Sequence, residues 1–368
     1  MDTSKKIGLL IVPNASFFSS GILQNAYFLY QCFNHMGMKC NFLVYEEDAN
    51  KKIGHVDLPI KTISLDKSVF DPTEYHTVMT ISVSLDKEYY TLLKLFNVHV
   101  VGFLCGNVLM HDQENFVRGP LTKSFSYIGK SAQVDQLWVI PPYKHALDYI
   151  EVVRGKPAYI IPHVWTPEIS SFGYTPSQLM YDAAKHTGKK ATILILEPNI
   201  AMFKNAVIPM AICDRLNSKL PNLIDEVYVF NFPDHESSWK YADNFSLGSK
   251  LRRFKRLAIP EILTHFNTKD TVPIILSYQL YNSLNYLYYE ALHYGFPLVH
   301  NSPDLDDCGY YYPEHNFKIA MEQILYAFVN HNKSLDSYMT KGKKYLERVD
   351  PFNPSVCKDI RALFDNKI

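Results

Sequence analysis

The chain has 368 residues, 47% of them hydrophobic and 20% charged, which is the composition of a soluble globular protein with room for two domains. Its 37 basic and 37 acidic side chains give a formal net charge of zero. The chain therefore lacks the excess of basic residues that would indicate nucleic acid or an anionic membrane as its main partner. The six cysteines are scattered and form no C-x-x-C pair. This argues against a zinc site or a disulfide framework and for a reducing compartment.

The first half of the chain alternates apolar runs with helix-like segments. Residues 7–12 are predicted to form a buried strand, because the run is too short for a signal peptide or a membrane span. Residues 22–36 are predicted to form an amphipathic helix that ends at Gly37. Further strands are predicted at residues 40–45, 78–83, 98–104, 137–140 and 158–161. Apolar strands separated by helices indicate a parallel sheet that is covered on both faces.

The second half repeats this alternation after a polar connection, residues 162–190. Strands are predicted at residues 191–196, 226–232, 272–277 and 296–300, and helices at residues 203–216, 259–266 and 284–294. From residue 314 onward the chain is predicted to be helical. The sequence therefore predicts an α/β protein with two Rossmann-like halves and a helical tail.

The segment 283–302 is the most informative part of the chain. Ser283 is the predicted N-cap of a helix, Gly295 supplies its left-handed stop, and Pro297 prevents it from resuming. The apolar stripe of this helix consists of Leu284, Leu287, Tyr288, Ala291 and Leu292. Glu290 lies off that stripe in the second half of the helix, where the macrodipole does not help a carboxylate. We expect Glu290 either to face water or to hold a polar partner.

Ligands of open parallel sheets bind at the carboxyl ends of the strands, and four loops of this chain qualify. These loops lie at residues 13–21, 104–111, 197–204 and 277–283. Gly21 stands at a helix N-terminus, where backbone N–H groups can hold an anion, although the turn itself explains the glycine equally well. Neither G-x-G-x-x-G nor G-x-x-x-x-G-K-S/T occurs, which disfavours classical NAD enzymes and P-loop NTPases.

A bound diphosphate would need countercharge from outside the segment 270–317, which has six carboxylates and no lysine or arginine. Lys204, which stands among apolar neighbours, is the first candidate, and the helix end at Ser283 would add backbone donors. A basic cluster is the second candidate and is equally explained as a solvated helix face. This cluster consists of Arg252, Arg253, Lys255 and Arg256.

Two acidic groups are candidates for catalysis or metal binding. His111, Asp112 and Glu114 form a compact acid–base group after the strand predicted at 98–104, so His111 and Asp112 are candidate catalytic residues. A polar surface loop is the alternative interpretation, and we favour it. The D-x-D-D string at 304–307 resembles a metal-binding motif, but its position before Gly309 favours a turn.

The element from Glu290 to His300, E-A-L-H-Y-G-F-P-L-V-H, resembles the E-A-x-x-x-G-x-P-V/L-V element of the two-domain GT-B glycosyltransferases. Residues 161–167 resemble the hinge entry of that family, and Ser20-Gly21 before a helix is similar to its glycine loop. The strings at 197–200 and 301–313 resemble a bacterial and viral branch of these enzymes.

The resemblance implies a donor domain, residues 185–348, facing an acceptor domain, residues 1–168, across a cleft, with a C-terminal helix, 349–368, crossing back to the latter. It implies that Glu290 binds the ribose hydroxyls of a nucleotide-sugar, that Lys204 binds the diphosphate, and that neither metal nor further cofactor is needed. The residues expected to bind the donor are Gly21, Asn199, Lys204, Tyr278, Ser283, Asn285, Glu290, His300, Asn301 and Ser302.

The activity that this resemblance implies is transfer of a sugar to an acceptor hydroxyl of a glycan or glycoconjugate, in the cytoplasm, or in the host cytoplasm if the protein is viral. Retaining members usually carry an acid eight positions before the glutamate, where this chain has Asn282, so the stereochemical outcome and the catalytic residue stay open. A nucleotide-sugar epimerase on the same frame is one alternative, and it would turn over the donor without an acceptor. A non-catalytic nucleotide- or sugar-binding protein is the other.

Overall fold

A computed structural model describes residues 5–13, 17, 20–48, 62–66, 68–119, 133–283 and 285–367 of the chain. The chain divides into two compact units. Unit 1 comprises Met1–Ile169 together with Glu347–Ile368, and unit 2 comprises Ser170–Leu346.

Unit 1 is built on one parallel sheet. Its strands are β1 (Lys6–Leu10), β2 (Cys40–Val44), β3 (Thr62–Ser64), β4 (Tyr75–Ile81), β5 (His99–Leu104), β6 (Gln136–Val139) and β7 (Ala158–Ile160). Its helices, up to the end of β7, are α1 (Gly21–His35), α2 (Lys87–Leu95), α3 (Val108–Arg118) and α4 (Leu147–Arg154). The strands lie in the order β3-β2-β1-β4-β5-β6-β7, and every neighbouring pair is parallel.

The sequence explains this sheet, because its central strands are apolar on both faces. All five residues of β2 are buried, as are the last four of β1. On α1, Ser20 is the N-cap and its hydroxyl accepts a hydrogen bond from the Leu23 amide at 3.3 Å. Gly37, at φ +75°, follows the helix as predicted.

Two short helices, α5 (Glu168–Ser171) and α6 (Pro176–Leu179), precede the sheet of unit 2. The strands of that sheet are β8 (Ala191–Ile195), β9 (Ile224–Val229), β10 (Leu251–Arg253), β11 (Val272–Leu276), β12 (Leu298–His300) and β13 (Tyr310–Tyr311). Its helices are α7 (Val207–Lys219), α8 (Glu236–Ala242), α9 (Ile259–Phe266), α10 (Tyr286–Tyr294) and α11 (Phe317–Leu346). The order is β10-β9-β8-β11-β12-β13, again with all neighbouring pairs parallel.

The helical tail divides between the units. The 30-residue α11 covers the sheet of unit 2, where the Nε2 of His331 lies 2.9 Å from the Gly295 carbonyl oxygen. The last helix, α12 (Pro354–Lys367), belongs to unit 1. Its Phe364 ring meets Phe33 and Trp138 at centroid distances of 5.5 and 5.1 Å.

The predicted α/β class with two Rossmann-like sheets is confirmed. The basic cluster at 252–256 is not a helix face, because Arg252 and Arg253 lie on the edge strand β10 and the next three residues form irregular backbone. Within the described residues, no helix is long and apolar enough to span a membrane.

Candidate functional site

The order of strands in unit 2 reverses between β8 and β11, which lie side by side. Chain segments that leave the carboxyl ends of two such strands diverge, and the crevice between them is where ligands of doubly wound sheets bind. Glu197 follows β8 at this edge, and residues 277–283 follow β11. We call this edge the switch-point site.

Glu197 is fully buried at the switch-point site and is held by the chain that follows β11. Its carboxylate accepts hydrogen bonds from the Ser277 hydroxyl, from the Tyr278 amide at 3.2 Å and from the Gln279 side-chain amide at 3.2 Å. Burial raises the pKa of Glu197 to about 7, against the opposing effect of these hydrogen bonds and of the Lys204 charge. This carboxylate therefore ties together the two chain segments that form the crevice.

Glu290 is a second buried carboxylate, on α10, and only 6% of it is exposed. Among the described residues, none donates a hydrogen bond to it and none forms an ion pair with it. Burial alone raises its pKa to about 8. Of the two expectations for this residue, exposure to water is wrong, and a polar partner is not present within the described part of the protein.

Glu290 is buried because α10 is covered on more than one side. Tyr288 faces the sheet, where its hydroxyl lies 2.8 Å from the Ser277 hydroxyl. Tyr289 faces α11, where its ring meets that of Tyr345 at 6.0 Å. The helix is therefore buried beyond the apolar stripe that its sequence predicts, and Glu290 is buried with it.

The predicted N-cap of this helix is wrong by two residues. Asn285 is the N-cap, and its side-chain oxygen accepts a hydrogen bond from the Leu287 amide at 3.1 Å. The Ser283 hydroxyl instead donates to the Asp304 carboxylate, and its carbonyl accepts from the Ser302 hydroxyl at 2.9 Å. Leu284 of the predicted stripe lies outside the described residues. The tertiary contact of Ser283 thus takes precedence over its capping propensity.

Three predicted donor ligands at the end of β12 and directly after it, His300, Asn301 and Ser302, hold loops together. The Ser302 amide donates to Nδ1 of His300 at 3.1 Å, and Nε2 of His300 donates to the Cys308 carbonyl at 3.0 Å. Burial lowers the pKa of His300 to about 4, which keeps the ring neutral as these bonds require. Asn301 pairs with the backbone of Gln279 through two hydrogen bonds, of 2.9 and 2.8 Å. These residues fix the position of the 277–283 loop.

Asn199 holds together the loop after β8, as the three residues described above do for the loops after β11 and β12. Its side-chain amide donates to the carbonyls of Glu197 and Phe230, both at 3.1 Å, and its side-chain oxygen accepts from the Ala206 amide at 2.8 Å. The backbone of Asn199 has φ +55°, a conformation that asparagine tolerates better than most residues. The hydrogen bonds of the Asn199 side chain therefore stabilise the loop that carries Lys204.

The cationic candidates differ in their position relative to the switch-point site. Lys204 is half-buried, close enough to Glu197 to lower the pKa of that carboxylate. Arg252 forms an ion pair with Glu226 at 2.7 Å, and Arg253 pairs with Asp243. Lys204 follows β8 at the switch point, whereas the two arginines lie on the edge strand β10, so Lys204 is the better placed of the predicted diphosphate ligands. Tyr278, also predicted to bind the donor, has its hydroxyl 2.9 Å from Nδ1 of His315.

The candidate catalytic residues lie in unit 1. His111 and Asp112 belong to α3, whose N-cap Asn107 accepts from the Met110 amide at 3.1 Å, so the surface-loop interpretation is wrong. Asp112 is buried and accepts a hydrogen bond from the Tyr149 hydroxyl at 3.0 Å. Burial of Tyr149, together with this hydrogen bond, raises the pKa of Tyr149 to about 12. Gly21 is the first residue of α1, and most of the loop before it lies outside the described residues.

No group of three or more histidine, cysteine or acidic side chains is arranged to hold a metal ion in the parts of the chain that are described. The acidic string at 304–307 begins in a short 3-10 helix, Pro303–Leu305, and continues as a turn. The interpretation of this string as a turn is thus supported.

Sequence reasoning missed Glu197, Ser277 and Gln279, which form the hydrogen-bonded centre of the switch-point site. A signal was present for the first of them, because a glutamate two positions after a fully buried strand is placed at the ligand-binding edge. Nothing in the sequence indicated that this glutamate would be buried, since its burial depends on the loop after β11.

The fold of the chain is similar to the folds of several solved glycosyltransferase structures. It is similar to sucrose-phosphate synthase from Thermosynechococcus elongatus, with a TM-score of 0.60, 13% identity and 99% of each chain covered. It is also similar to an α-glucosyltransferase in complex with UDP-glucose and DNA containing an abasic site, with a TM-score of 0.63, 11% identity and 98% of each chain covered. The pneumococcal O-GlcNAc transferase GtfA, in complex with UDP and GlcNAc, aligns with a TM-score of 0.58, 9% identity and coverage of 98% of this chain and 99% of that one. At such low identity these similarities establish the fold, which is GT-B.

No curated protein matches the chain in sequence. A family model described as a protein of unknown function, DUF2827, matches residues 7–364. Because this match extends over nearly the whole chain, the protein belongs to the DUF2827 family.

Proposed function

We propose that this protein is a glycosyltransferase that moves a sugar from a nucleotide-sugar to an acceptor hydroxyl of a glycan or glycoconjugate. The donor binds at the switch-point site of unit 2. The observation that carries this proposal is Glu290, a buried carboxylate to which no described residue donates a hydrogen bond. The nucleotides bound in two solved structures of similar fold, UDP-glucose and UDP, are a second, independent support for the proposal.

A largely buried carboxylate that receives no hydrogen bond from its surroundings is costly, because most of its hydration is lost without hydrogen bonds in exchange. Such a group is stable enough to persist where a ligand supplies the missing donors. The two vicinal hydroxyl groups of a ribose supply two O–H donors to one carboxylate, which matches the acceptor capacity of Glu290. We therefore assign Glu290 to the ribose of the nucleotide.

Lys204 is assigned to the diphosphate. It lies in the loop after β8, beside the crevice, where its ammonium can make a charge-assisted hydrogen bond to a phosphate oxygen. Backbone N–H groups of the 277–283 loop and of the start of α10 add donors to the same group. Tyr278 and Ser283 flank this path, whereas Asn199, Asn285, His300, Asn301 and Ser302 contribute by fixing the loops.

The acceptor is assigned to unit 1, near Gly21 and the loop before α3. In this assignment His111 is the candidate acid–base group, and Asp112, whose carboxylate is hydrogen-bonded to Tyr149, fixes the helix that carries it. Position 282 holds a neutral asparagine, so no acid of the 277–283 loop is available for the reaction. Lys204 and backbone donors would neutralise the leaving diphosphate without a metal ion. We place this activity in the cytoplasm.

The test has a binding arm and a turnover arm. Calorimetry with UDP-glucose, GDP-mannose and the free nucleotides identifies the base. We expect Glu290→Gln to weaken the nucleotide that binds by roughly 10- to 100-fold, because a carboxylate offers two acceptor oxygens to the ribose hydroxyls and an amide offers one. Glu322→Gln, on the exposed face of α11, is the matched control and should bind as the wild type does.

The turnover arm measures release of free nucleoside diphosphate with and without added glycan acceptors. Release that depends on an acceptor supports a transferase. Change of the sugar without an acceptor would indicate an epimerase, and binding without turnover would indicate a non-catalytic protein. Equal nucleotide affinity of the wild type and Glu290→Gln would refute the donor site.

A further inference from the structure

Helix α11 carries two buried polar side chains that have no part in the function proposed above. His331 is fully buried and Tyr338 is 6% exposed. They lie seven positions apart, and therefore on the same face of the helix. An apolar side chain would pack in either place without the cost of burying an imidazole or a phenol hydroxyl. The hydrogen bonds of these two residues therefore indicate what this face of α11 does.

Both side chains bond to the backbone of one turn, which joins the end of α10 to the start of β12. Nε2 of His331 donates to the Gly295 carbonyl at 2.9 Å. The Tyr338 hydroxyl donates to the Phe296 carbonyl at 2.7 Å and accepts from the Leu298 amide at 3.2 Å. Three backbone groups of the turn are thus bonded to side chains of α11.

The imidazole of His331 is held in one orientation from its other side. The Tyr310 hydroxyl lies 2.8 Å from Nδ1, and it donates to this nitrogen because Nε2 carries the proton that the Gly295 carbonyl accepts. Burial lowers the pKa of His331 to about 4, which keeps the ring neutral as these two bonds require. The ring is therefore a fixed link between β13 and the turn after α10.

The backbone of α11 also lies close to α10, at two glycines. A Cβ at Gly295 would lie 2.7 Å from Sδ of Met339, on α11. A Cβ at Gly342, also on α11, would lie 3.3 Å from the Leu292 carbonyl oxygen of α10. Such close packing transmits a displacement of one helix to the other, because there is no empty space to absorb it.

The turn held by α11 is connected directly to the part of α10 that carries Glu290. The Phe296 amide donates to the carbonyl of Ala291, the residue next to Glu290, at 2.9 Å. Because α10 has only nine residues, a shift of this turn moves the Glu290 carboxylate with it. Hydrogen bonds weaken steeply when their geometry is distorted, so the binding of two hydroxyl groups by one carboxylate depends on its exact position.

We propose that His331 and Tyr338 are positioning residues, which set the place of the Glu290 carboxylate for the ribose hydroxyls by holding the turn after α10. Neither side chain touches the nucleotide in this proposal. The inference rests on the proposed function, because it requires a ribose at Glu290.

The affinity of the full chain for UDP relative to 2′-deoxy-UDP measures the placement of Glu290, because these ligands differ by one ribose hydroxyl. Calorimetry gives both affinities, with GDP and 2′-deoxy-GDP as the pair if guanine nucleotides bind instead. We expect the wild type to favour the ribonucleotide by roughly 10- to 100-fold. Tyr338→Phe keeps the ring and removes only the hydroxyl, and it should lower this ratio by about three- to tenfold.

Further variants separate positioning from support of the fold. Glu290→Gln should lower the ratio by itself, and Tyr338→Phe should lower it no further in that background, since a positioning residue acts only through the group that it positions. Gly342→Ala forces α10 and α11 apart without removing a hydrogen bond. It should also lower the ratio, and it decides the test if Tyr338→Phe does not fold. Tyr326→Phe makes the same chemical change at a site on α11 that is 56% exposed, and should match the wild type.

A Tyr338→Phe variant that loses stability in urea but keeps the full ratio would overturn the inference and leave the proposed function intact. An equal effect of Tyr338→Phe in the wild-type and Glu290→Gln backgrounds would do the same. A wild type that binds UDP and 2′-deoxy-UDP equally well would remove Glu290 from the ribose, and would overturn the proposed donor contacts together with this inference. Failure of every nucleotide to bind would also overturn both.

Discussion

Glu290 should make the empty protein less stable as the pH rises. Its pKa is about 8 in the folded protein and 4.5 in the reference state, so between these values the folded state holds a proton that the unfolded state has released. The contribution of Glu290 is therefore fully present below about pH 4.5 and is lost progressively up to about pH 8. The shift corresponds to roughly 5 kcal/mol at most, at 1.36 kcal/mol for each pH unit.

The variant Glu290→Gln carries a neutral side chain of the same shape at every pH, so it should lose this dependence. We expect it to match the wild type in free energy of unfolding at pH 5 and to exceed it by a few kcal/mol at pH 8. Urea unfolding at both pH values, without nucleotide, measures the difference. Because Glu197 and the surface carboxylates titrate in both proteins, their effects cancel in the comparison.

A wild type and a Glu290→Gln variant with the same pH dependence would refute this reasoning. So would a variant that is less stable than the wild type at pH 8, since that result would mean that the carboxylate has a strong partner in the empty protein. Glu322→Gln, exposed on α11, should follow the wild type throughout.

Three further predictions concern the same unit. Lys204→Met should weaken UDP by roughly 1.5–3 kcal/mol and leave uridine unaffected in calorimetry, and equal losses would remove Lys204 from the diphosphate. Asn199→Ala should lower the free energy of unfolding by about 1–3 kcal/mol, because several backbone groups lose their partner; an unchanged urea midpoint would contradict this. Gly309→Ala should destabilise the protein by about 1–3 kcal/mol in the same assay, since its φ is +62° and a Cβ there would lie 2.9 Å from His300 Nε2. Gly248→Ala is its control, with φ +52° but open space around it, and an equal effect of the two would show that the contact with His300 is unimportant.

Most of the fold was predictable because many strands of the two sheets are largely apolar, buried runs. The predicted strand at 191–196 corresponds to β8, and the one at 272–277 corresponds to β11. Strands β3, β10 and β13 were not predicted, since they have only two or three residues and take their conformation from the neighbouring strand. Periodicity identifies elements that bury their own surface, and these three do not.

The candidate site was less predictable, because its contacts join residues far apart in the chain. Ser283 and Asn285 are both good N-caps by residue type, and the contact of Ser283 with Asp304 decides between them. The burial of Glu290 follows from α11, which begins 27 positions later in the chain. The sequence was enough to locate the crevice at the carboxyl ends of β8 and β11, but not to distinguish the residues that line it from those that hold it in place.

The position of α12 has a consequence for how the protein is made. Unit 2 is continuous in sequence, whereas unit 1 needs both the first 169 residues and the segment from Glu347 onward. During synthesis, therefore, the Phe33 and Trp138 rings cannot pack against Phe364 until the whole of unit 2 has left the ribosome. A released chain truncated before Pro354 has every residue of the second unit but lacks the helix that packs on Phe33 and Trp138 of the first, so the first unit to begin is the last to be finished.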